Sequence, residues 1–143
     1  MTTSHSKIKR RKYDLKYIES EKGFFNCLWQ AMNRVDDKGN KKVFNYITSK
    51  YHLLELWEKQ KKDLGGPYCG YTGISLTTKR SNGEGWKKAR PTNISVDRID
   101  PRLHYEEGNI VFSSWEFNNR KSGVTPDDCK LILKVYEEKN ANK

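Results

Sequence analysis

Two short β-type runs, joined by a loop and followed at once by a short helical run, constrain this chain most. Residues Ile94–Ile99 alternate between apolar and polar side chains, and Asn109–Ser113 is rich in β-branched and aromatic residues. Asp100–Gly108 forms a connection of about nine residues. The pattern predicts a two-stranded antiparallel ribbon with a helix, residues 114–121, that crosses both strands. We therefore expect a small single α+β domain in which other helices flank this unit.

Helical spacing of apolar residues predicts two helices before this unit. The first spans residues 24–35 and ends in a stretch of turn-forming residues. The second begins after an N-cap at Thr48 or Ser49 and ends at Gly65. Its expected apolar positions are Tyr51, Leu53, Leu54, Leu56 and Trp57.

A last helix is predicted after the ribbon unit. Thr125 is a hydroxyl N-cap, Pro126 suits the first helical position, and Asp127 and Asp128 face the positive end of the helix dipole. The residues expected to form its buried stripe are Ile132, Leu133 and Tyr136.

The remaining segments divide the chain without creating a second domain. Residues 43–47 favour a strand or an extended lead-in, and residues 77–93 indicate a long basic loop or an open hairpin. We expect a basic, flexible N-terminal segment over 1–22 and a helical region over 23–66. Residues 67–143 then contain the ribbon unit and the C-terminal helix.

The charge of the chain indicates an anionic partner. Lysine and arginine number 28 against 18 acidic residues, which gives a net charge of +10. Aromatic residues make up 12% of the chain, so a disordered basic tail is excluded and a core built on large rings is expected. No run of 18 apolar residues exists, and we expect no membrane partner. DNA or RNA is the expected partner, unless the lysines serve only solubility.

Polar residues recur where the ribbon and its helix would meet. Asp97 closes the first strand, Asn109 opens the second, and Asn118 lies on the helix. Carboxylate and amide oxygens are hard ligands that suit Mg²⁺, which takes the rest of its shell from water and substrate phosphate. Each residue also has an ordinary structural explanation, as a loop cap, a turn residue or a solvent-facing amide.

Several stretches carry a resemblance to a known family. They are Ser95–Asp100, Tyr105, Gly108–Val111, Asn118–Ser122 and, upstream, Tyr68–Thr77. Together they resemble the HNH (ββα-metal) endonuclease family, in a branch found in phages and bacteria. The close match covers roughly 28 residues, 95–122. The resemblance implies a ββα-metal motif and the hydrolysis of DNA phosphodiester bonds.

The resemblance also implies roles for individual residues. Asp97 and Asn118 match the two protein ligands of one divalent ion, expected to be Mg²⁺, with Mn²⁺ as the alternative. Asn109 matches the asparagine that braces the loop. Arg98 stands where the family has its general-base histidine, and a guanidinium cannot accept a proton near neutral pH. It can instead hold a phosphate or stabilise charge in the transition state. His104, Asp100 or a metal-bound hydroxide remain as candidate bases.

Many members of the family hold the motif with four zinc-binding cysteines. The matching positions here are Cys69, Thr72, Ser114 and Phe117. One thiolate and an aromatic ring cannot form that site, so no structural zinc is expected. Phe112, Trp115 and Phe117 are expected to pack in its place, with Cys69 as a small buried residue.

The first hypothesis is a metal-dependent DNA endonuclease or nickase. The alternatives are a non-catalytic nucleic-acid-binding module on a degenerate HNH scaffold and, more weakly, an RNA-associated basic protein. A homodimer is not indicated, and the expected location is the cytoplasm of a bacterium or of a phage-infected cell. The candidate phosphate contacts are Lys87, Lys88, Arg90, Arg120 and Lys121.

Overall fold

The computed structural model describes residues 16–41, 43–80 and 89–141. The fold is α+β, with a two-stranded antiparallel sheet, as predicted. The elements in chain order are α1 (Glu21–Met32), α2 (Lys50–Leu64), β1 (Ile94–Arg98), β2 (Ile110–Ser114), α3 (Trp115–Lys121) and α4 (Pro126–Asn140). The basic segment predicted over 1–22 lies mostly outside the described residues. The chain is helical at 16–19, and α1 begins two residues before the predicted boundary.

Local capping explains where the helices begin and end. Ser20 and Ser49 accept hydrogen bonds from the backbone N–H groups of Gly23 and His52, which are otherwise unpaired in the first helical turn. Of the two predicted N-caps of α2, the structure therefore uses Ser49. Gly65 ends α2 with φ of 79°, a left-handed conformation that favours glycine.

The sheet register places the polar residues of β1 at the end of the ribbon. Asp97 pairs with Val111, and Arg98 pairs with Ile110. β2 continues directly into α3, because Ser114 is both the last strand residue and the N-cap that accepts a hydrogen bond from the N–H of Phe117. Because no linker separates β2 from α3, the helix crosses the ribbon and packs on both strands.

Aromatic rings form the centre of the core, as the composition predicts. Phe25 of α1, Trp57 of α2 and Phe112 of β2 are buried, with ring centroids 5.3–5.7 Å apart. Phe24 and Leu53 are fully buried beside them. Two helices are thus fixed to one face of the ribbon.

Several predictions about burial are wrong. α1 ends at Met32, so Val35 lies beyond the helix and is 53% exposed. Tyr51 lies in the first turn of α2 and is 61% exposed. Trp115, expected to pack in place of a zinc site, is 40% exposed because it begins α3 at the surface.

The buried stripe predicted for α4 is also wrong. The helix forms with the predicted Thr125 cap and Pro126, but none of its residues is buried. Ile132, Leu133 and Tyr136 are between 56% and 64% exposed, because no described element packs against that face.

In each of the two segments for which the sequence allowed two conformations, a described residue forms an isolated β-bridge outside the sheet. Asn45 forms an isolated bridge with Tyr105, which agrees with the extended lead-in predicted for 43–47. In the region 77–93, Thr77 bridges Asn93, whereas residues 81–88 lie outside the described residues. Among the described residues, no helix is long and apolar enough to cross a membrane.

Candidate functional site

A cleft of about 330 Å³ opens where the end of β1 meets α3. Asp97 and Arg98 reach it from β1, Asn118 from α3 and Tyr105 from the loop between the strands. The structure therefore brings three of the predicted site residues to one cavity, because α3 follows β2 without a linker and crosses β1.

Asp97 is held in a buried ion pair. Its Oδ2 accepts hydrogen bonds from the Tyr71 hydroxyl at 2.7 Å and from the Lys121 ammonium at 2.9 Å. The Lys121 side chain is only 4% exposed, so it neutralises Asp97 instead of standing free for a phosphate as expected. Burial and the Asp97 hydrogen bond raise the pKa of Tyr71. Tyr71 therefore remains a neutral donor that fixes the carboxylate.

Asn118 is oriented by the strand beneath it. Its Nδ2 donates a hydrogen bond to the Ser95 hydroxyl at 2.6 Å. Among the described residues, neither the Oδ1 of Asn118 nor the Oδ1 of Asp97 has a hydrogen-bond partner. The cleft thus offers two hard oxygen donors from different elements.

These donors fit a hard divalent ion that keeps most of its shell as water. The described residues contain no cluster of three or more His, Cys, Asp or Glu side chains that could enclose a metal. An ion bound here would rely on Asp97 and Asn118 as its protein ligands, with water and a substrate phosphate completing the shell. This donor set matches Mg²⁺ or Mn²⁺ better than a softer metal.

Arg98 contacts the loop between the strands. One guanidinium nitrogen donates to the carbonyl oxygens of Pro101 and Leu103, at 2.8 and 2.9 Å. The guanidinium also lies 5.8 Å from the centre of the Tyr105 ring. Arg98 therefore shapes the wall of the cleft and adds positive charge there, but it cannot serve as a base.

Asn109 makes three side-chain hydrogen bonds across the same loop. Its Oδ1 accepts from the N–H of Asp100, and its Nδ2 donates to the carbonyl oxygens of Asp100 and His104. Gly108 precedes it with φ of 88°, a turn conformation that a side chain would strain. These bonds close the loop on itself, which is the arrangement that a bracing role requires.

The two side chains predicted as candidate bases, His104 and Asp100, are not among the described residues that line the cleft. The Nδ1 of His104 accepts a hydrogen bond from the N–H of Phe44 at 3.1 Å. Hydrogen bonds from the side chain and backbone of Arg102 lower the pKa of Asp100 to about 2. Such a carboxylate is a weak proton acceptor near neutral pH.

The expected phosphate contacts are dispersed. Lys87 and Lys88 lie outside the described residues. Arg90 is half-buried, and its N–H donates to the side chain of Asn93. Arg120 is exposed on α3 and forms an ion pair with Glu116 at 2.7 Å.

Two of the positions that match the zinc cysteines, Cys69 and Thr72, flank Tyr71, whose hydroxyl donates to Asp97. Cys69 is buried, as expected, and the N–H of Thr72 donates to its sulfur at 3.5 Å. Burial disfavours the Cys69 thiolate, but hydrogen bonds from Thr72 and from the backbone of Tyr71 and Ser114 outweigh it and lower the pKa of the thiol. This turn presents the Tyr71 hydroxyl to Asp97.

Sequence reasoning missed Tyr71 and Ser95 as members of the site. Ser95 lies two residues before Asp97 on β1, so strand alternation places both on one face and provides a signal. Tyr71 comes from a turn 26 residues upstream of Asp97, and nothing in the local pattern indicates their contact.

Comparisons of this chain with family models, with curated proteins and with solved structures found no significant match. The geometry of the cleft and the charge of the chain therefore carry the functional argument, beside the motif resemblance.

Proposed function

We propose that this protein is a metal-dependent DNA endonuclease or nickase that hydrolyses phosphodiester bonds in the cleft beside β1 and α3. The observation that carries the proposal is that Asp97 from a strand and Asn118 from a helix line one cleft. Each has a side-chain oxygen without a hydrogen-bond partner among the described residues. These are also the two positions at which residues 95–122 resemble the metal ligands of HNH enzymes.

Each polar residue has a distinct task in this proposal. Asp97 and Asn118 would hold one divalent ion, and that ion would supply charge stabilisation for the leaving oxygen. Tyr71 and Lys121 position the Asp97 carboxylate through its Oδ2, and its Oδ1 has no hydrogen-bond partner among the described residues. Arg98 raises the positive potential at the cleft and favours a phosphate there. The net charge of +10 favours DNA binding through counterion release.

A second function, nucleic-acid binding without cleavage, is favoured by a specific observation. Asp97 is the only carboxylate among the described residues that line the cleft, and Lys121 already neutralises it. Neither His104 nor Asp100 is among those lining residues. Such a cleft would hold a phosphate without activating a water molecule.

The test is the incubation of supercoiled plasmid with the protein in Mg²⁺, Mn²⁺ or EDTA, with DNA binding measured in parallel. Removing Asp97 alone leaves the buried Lys121 charge unpaired, at a cost of about 3–5 kcal/mol. The informative variant is therefore Asp97→Asn combined with Lys121→Met, and the matched control is Asp127→Asn on exposed α4.

Metal-dependent nicking that the double variant loses, with binding and folding retained, supports the endonuclease. Binding without cleavage under every metal condition supports the binding module. Cleavage that persists in EDTA or in the double variant contradicts the assigned site. An RNA substrate in a parallel reaction distinguishes the weaker RNA-associated hypothesis from the two other functions.

A further inference from the structure

Two large aromatic side chains are exposed side by side on the segment before α2. Phe44 is 46% exposed and Tyr46 is 58% exposed, although other aromatic rings form the centre of the core. Their ring centroids lie 6.3 Å apart with an interplanar angle of 21°. In an extended segment, residues two apart point to the same side, so both rings form one surface.

Hydrogen bonds and ring contacts hold this surface in one conformation. Backbone hydrogen bonds join Tyr46 N–H to Tyr105 O at 2.7 Å and Tyr105 N–H to Phe44 O at 3.1 Å. The His104 ring meets both rings edge-on, with centroid distances of 5.2 and 5.6 Å. The structure thus holds two exposed rings in place, which lowers the entropy lost when a ligand binds them.

The aromatic surface and the candidate cleft flank the same residue, Tyr105, from opposite sides. Tyr105 contributes its backbone to the pairing with residues 44–46 and its side chain to the wall of the cleft. The same wall contains Asp97 and Arg98. Because Asn45 pairs with Tyr105, the Phe44 and Tyr46 rings point away from the side of the Tyr105 ring. Only the thickness of this extended segment separates the aromatic surface from the cleft.

We propose that Phe44 and Tyr46 form a stacking platform for an unpaired base of the nucleic-acid strand that enters the cleft. The proposal rests on the proposed function and narrows its substrate to single-stranded or locally unpaired nucleic acid. Bases within an intact duplex are already stacked on their neighbours, whereas an unpaired base offers its face to an aromatic ring. The turn before the platform carries exposed Asp36 and Asp37 as well as exposed Lys38 and Lys41, so its own charge is balanced. The net charge of +10 of the whole chain favours a polyanion over an apolar peptide.

The experiment measures binding by fluorescence anisotropy in EDTA, so that cleavage plays no part. The probes are an oligothymidine of about 15 nucleotides, the matching oligouridine and a duplex of the same length. The test variant combines Phe44→Ala with Tyr46→Ala, and Phe44→Tyr with Tyr46→Phe is the conservative pair. Tyr136→Ala, which removes an equally exposed ring from α4, is the matched control. Circular dichroism and thermal melting check that each variant folds.

We expect the double alanine variant to lose about tenfold or more of its single-strand affinity, with duplex affinity changed less than about twofold. The conservative pair and Tyr136→Ala should bind the single strands like the native chain. Preference for oligothymidine assigns the strand to DNA, and preference for oligouridine assigns it to RNA; both outcomes retain the platform.

Unchanged single-strand binding in the alanine variant, or an equal loss with the duplex, overturns the platform. The proposed function fails separately: single-strand binding that depends on the rings, without any plasmid cleavage, leaves the platform in place and removes the nuclease. A native chain that cleaves plasmid but binds neither oligonucleotide overturns the platform alone.

Discussion

Helices α1 and α4 differ in a way that separates helix formation from helix packing. α4 has the stronger local signals, because Thr125 and Asp128 form a reciprocal capping box and a proline occupies the first turn. α1 has a single serine cap, Ser20. Yet α1 buries Phe24 and Phe25 completely, whereas α4 buries no residue. Local sequence decides whether a helix forms, but only a facing element decides whether its apolar side is covered.

The largest loss of stability is expected when the Phe25 ring at the centre of the core is removed. Phe25 contacts both Trp57 and Phe112, so Phe25→Ala removes the contact between α1, α2 and β2. We expect the free energy of unfolding to fall by about 3–5 kcal/mol, measured by denaturant titration. A loss below about 1 kcal/mol would mean that α1 is no more firmly packed than α4.

A smaller loss of unfolding free energy is expected at Gln60, whose side chain forms hydrogen bonds between α2 and the sheet. The Gln60 amide donates to the carbonyl oxygens of Phe112 and Tyr68 and accepts from the N–H of Phe112, at 2.8–3.0 Å. Gln60→Leu leaves the N–H of Phe112 and the carbonyl oxygen of Tyr68 unpaired, whereas the carbonyl oxygen of Phe112 keeps the N–H of Gly70. We expect a loss of about 1–3 kcal/mol.

The control for this change is Lys62→Leu, at an exposed position two residues further along α2. It should leave the unfolding free energy within about 0.5 kcal/mol of the native value. If both leucine variants lose the same stability, the amide bonds do not join α2 to the sheet.

The two ends of α2 and the start of α4 follow from local capping chemistry and were therefore predictable, whereas α1 ends three residues before its predicted end. Ser49, Gly65 and Thr125 act at or near helix ends whatever the rest of the chain does. Burial was less predictable, because Tyr51 and Leu133 have the spacing of core residues and lack a facing element. An amphipathic pattern shows which face of a helix is apolar, but it does not show which element packs against that face.

The candidate site likewise contains some contacts that the sequence predicts and others that it does not. Strand and helix phase brought Asp97 and Asn118 to one cleft. The same phase places Lys121 three residues after Asn118 on one face of α3, so its contact with Asp97 could have been inferred. The position of His104 depends on Phe44, 60 residues away, and the loop sequence alone contains no sign of it.

Removing a cap should affect the two helices differently. Ser20→Ala is expected to lower the global unfolding free energy by about 1 kcal/mol, because α1 is part of the core. Thr125→Ala removes a similar interaction from α4, whose apolar face no described element covers. Its effect should appear as faster amide exchange within α4 and reduced helical circular dichroism, with the global transition unchanged. A shift of the global transition would contradict the independence of α4.

The smallest effect is expected from the apolar face of α4, and a matched pair of leucines measures it. Leu53 is fully buried in α2, so Leu53→Ala should cost about 2–5 kcal/mol. Leu133 is 56% exposed, so the same change there should alter the unfolding free energy by less than about 0.5 kcal/mol. Both values come from denaturant titration at two protein concentrations. A loss above about 2 kcal/mol for Leu133→Ala that grows with protein concentration would mean that a second copy of the chain covers α4 in solution.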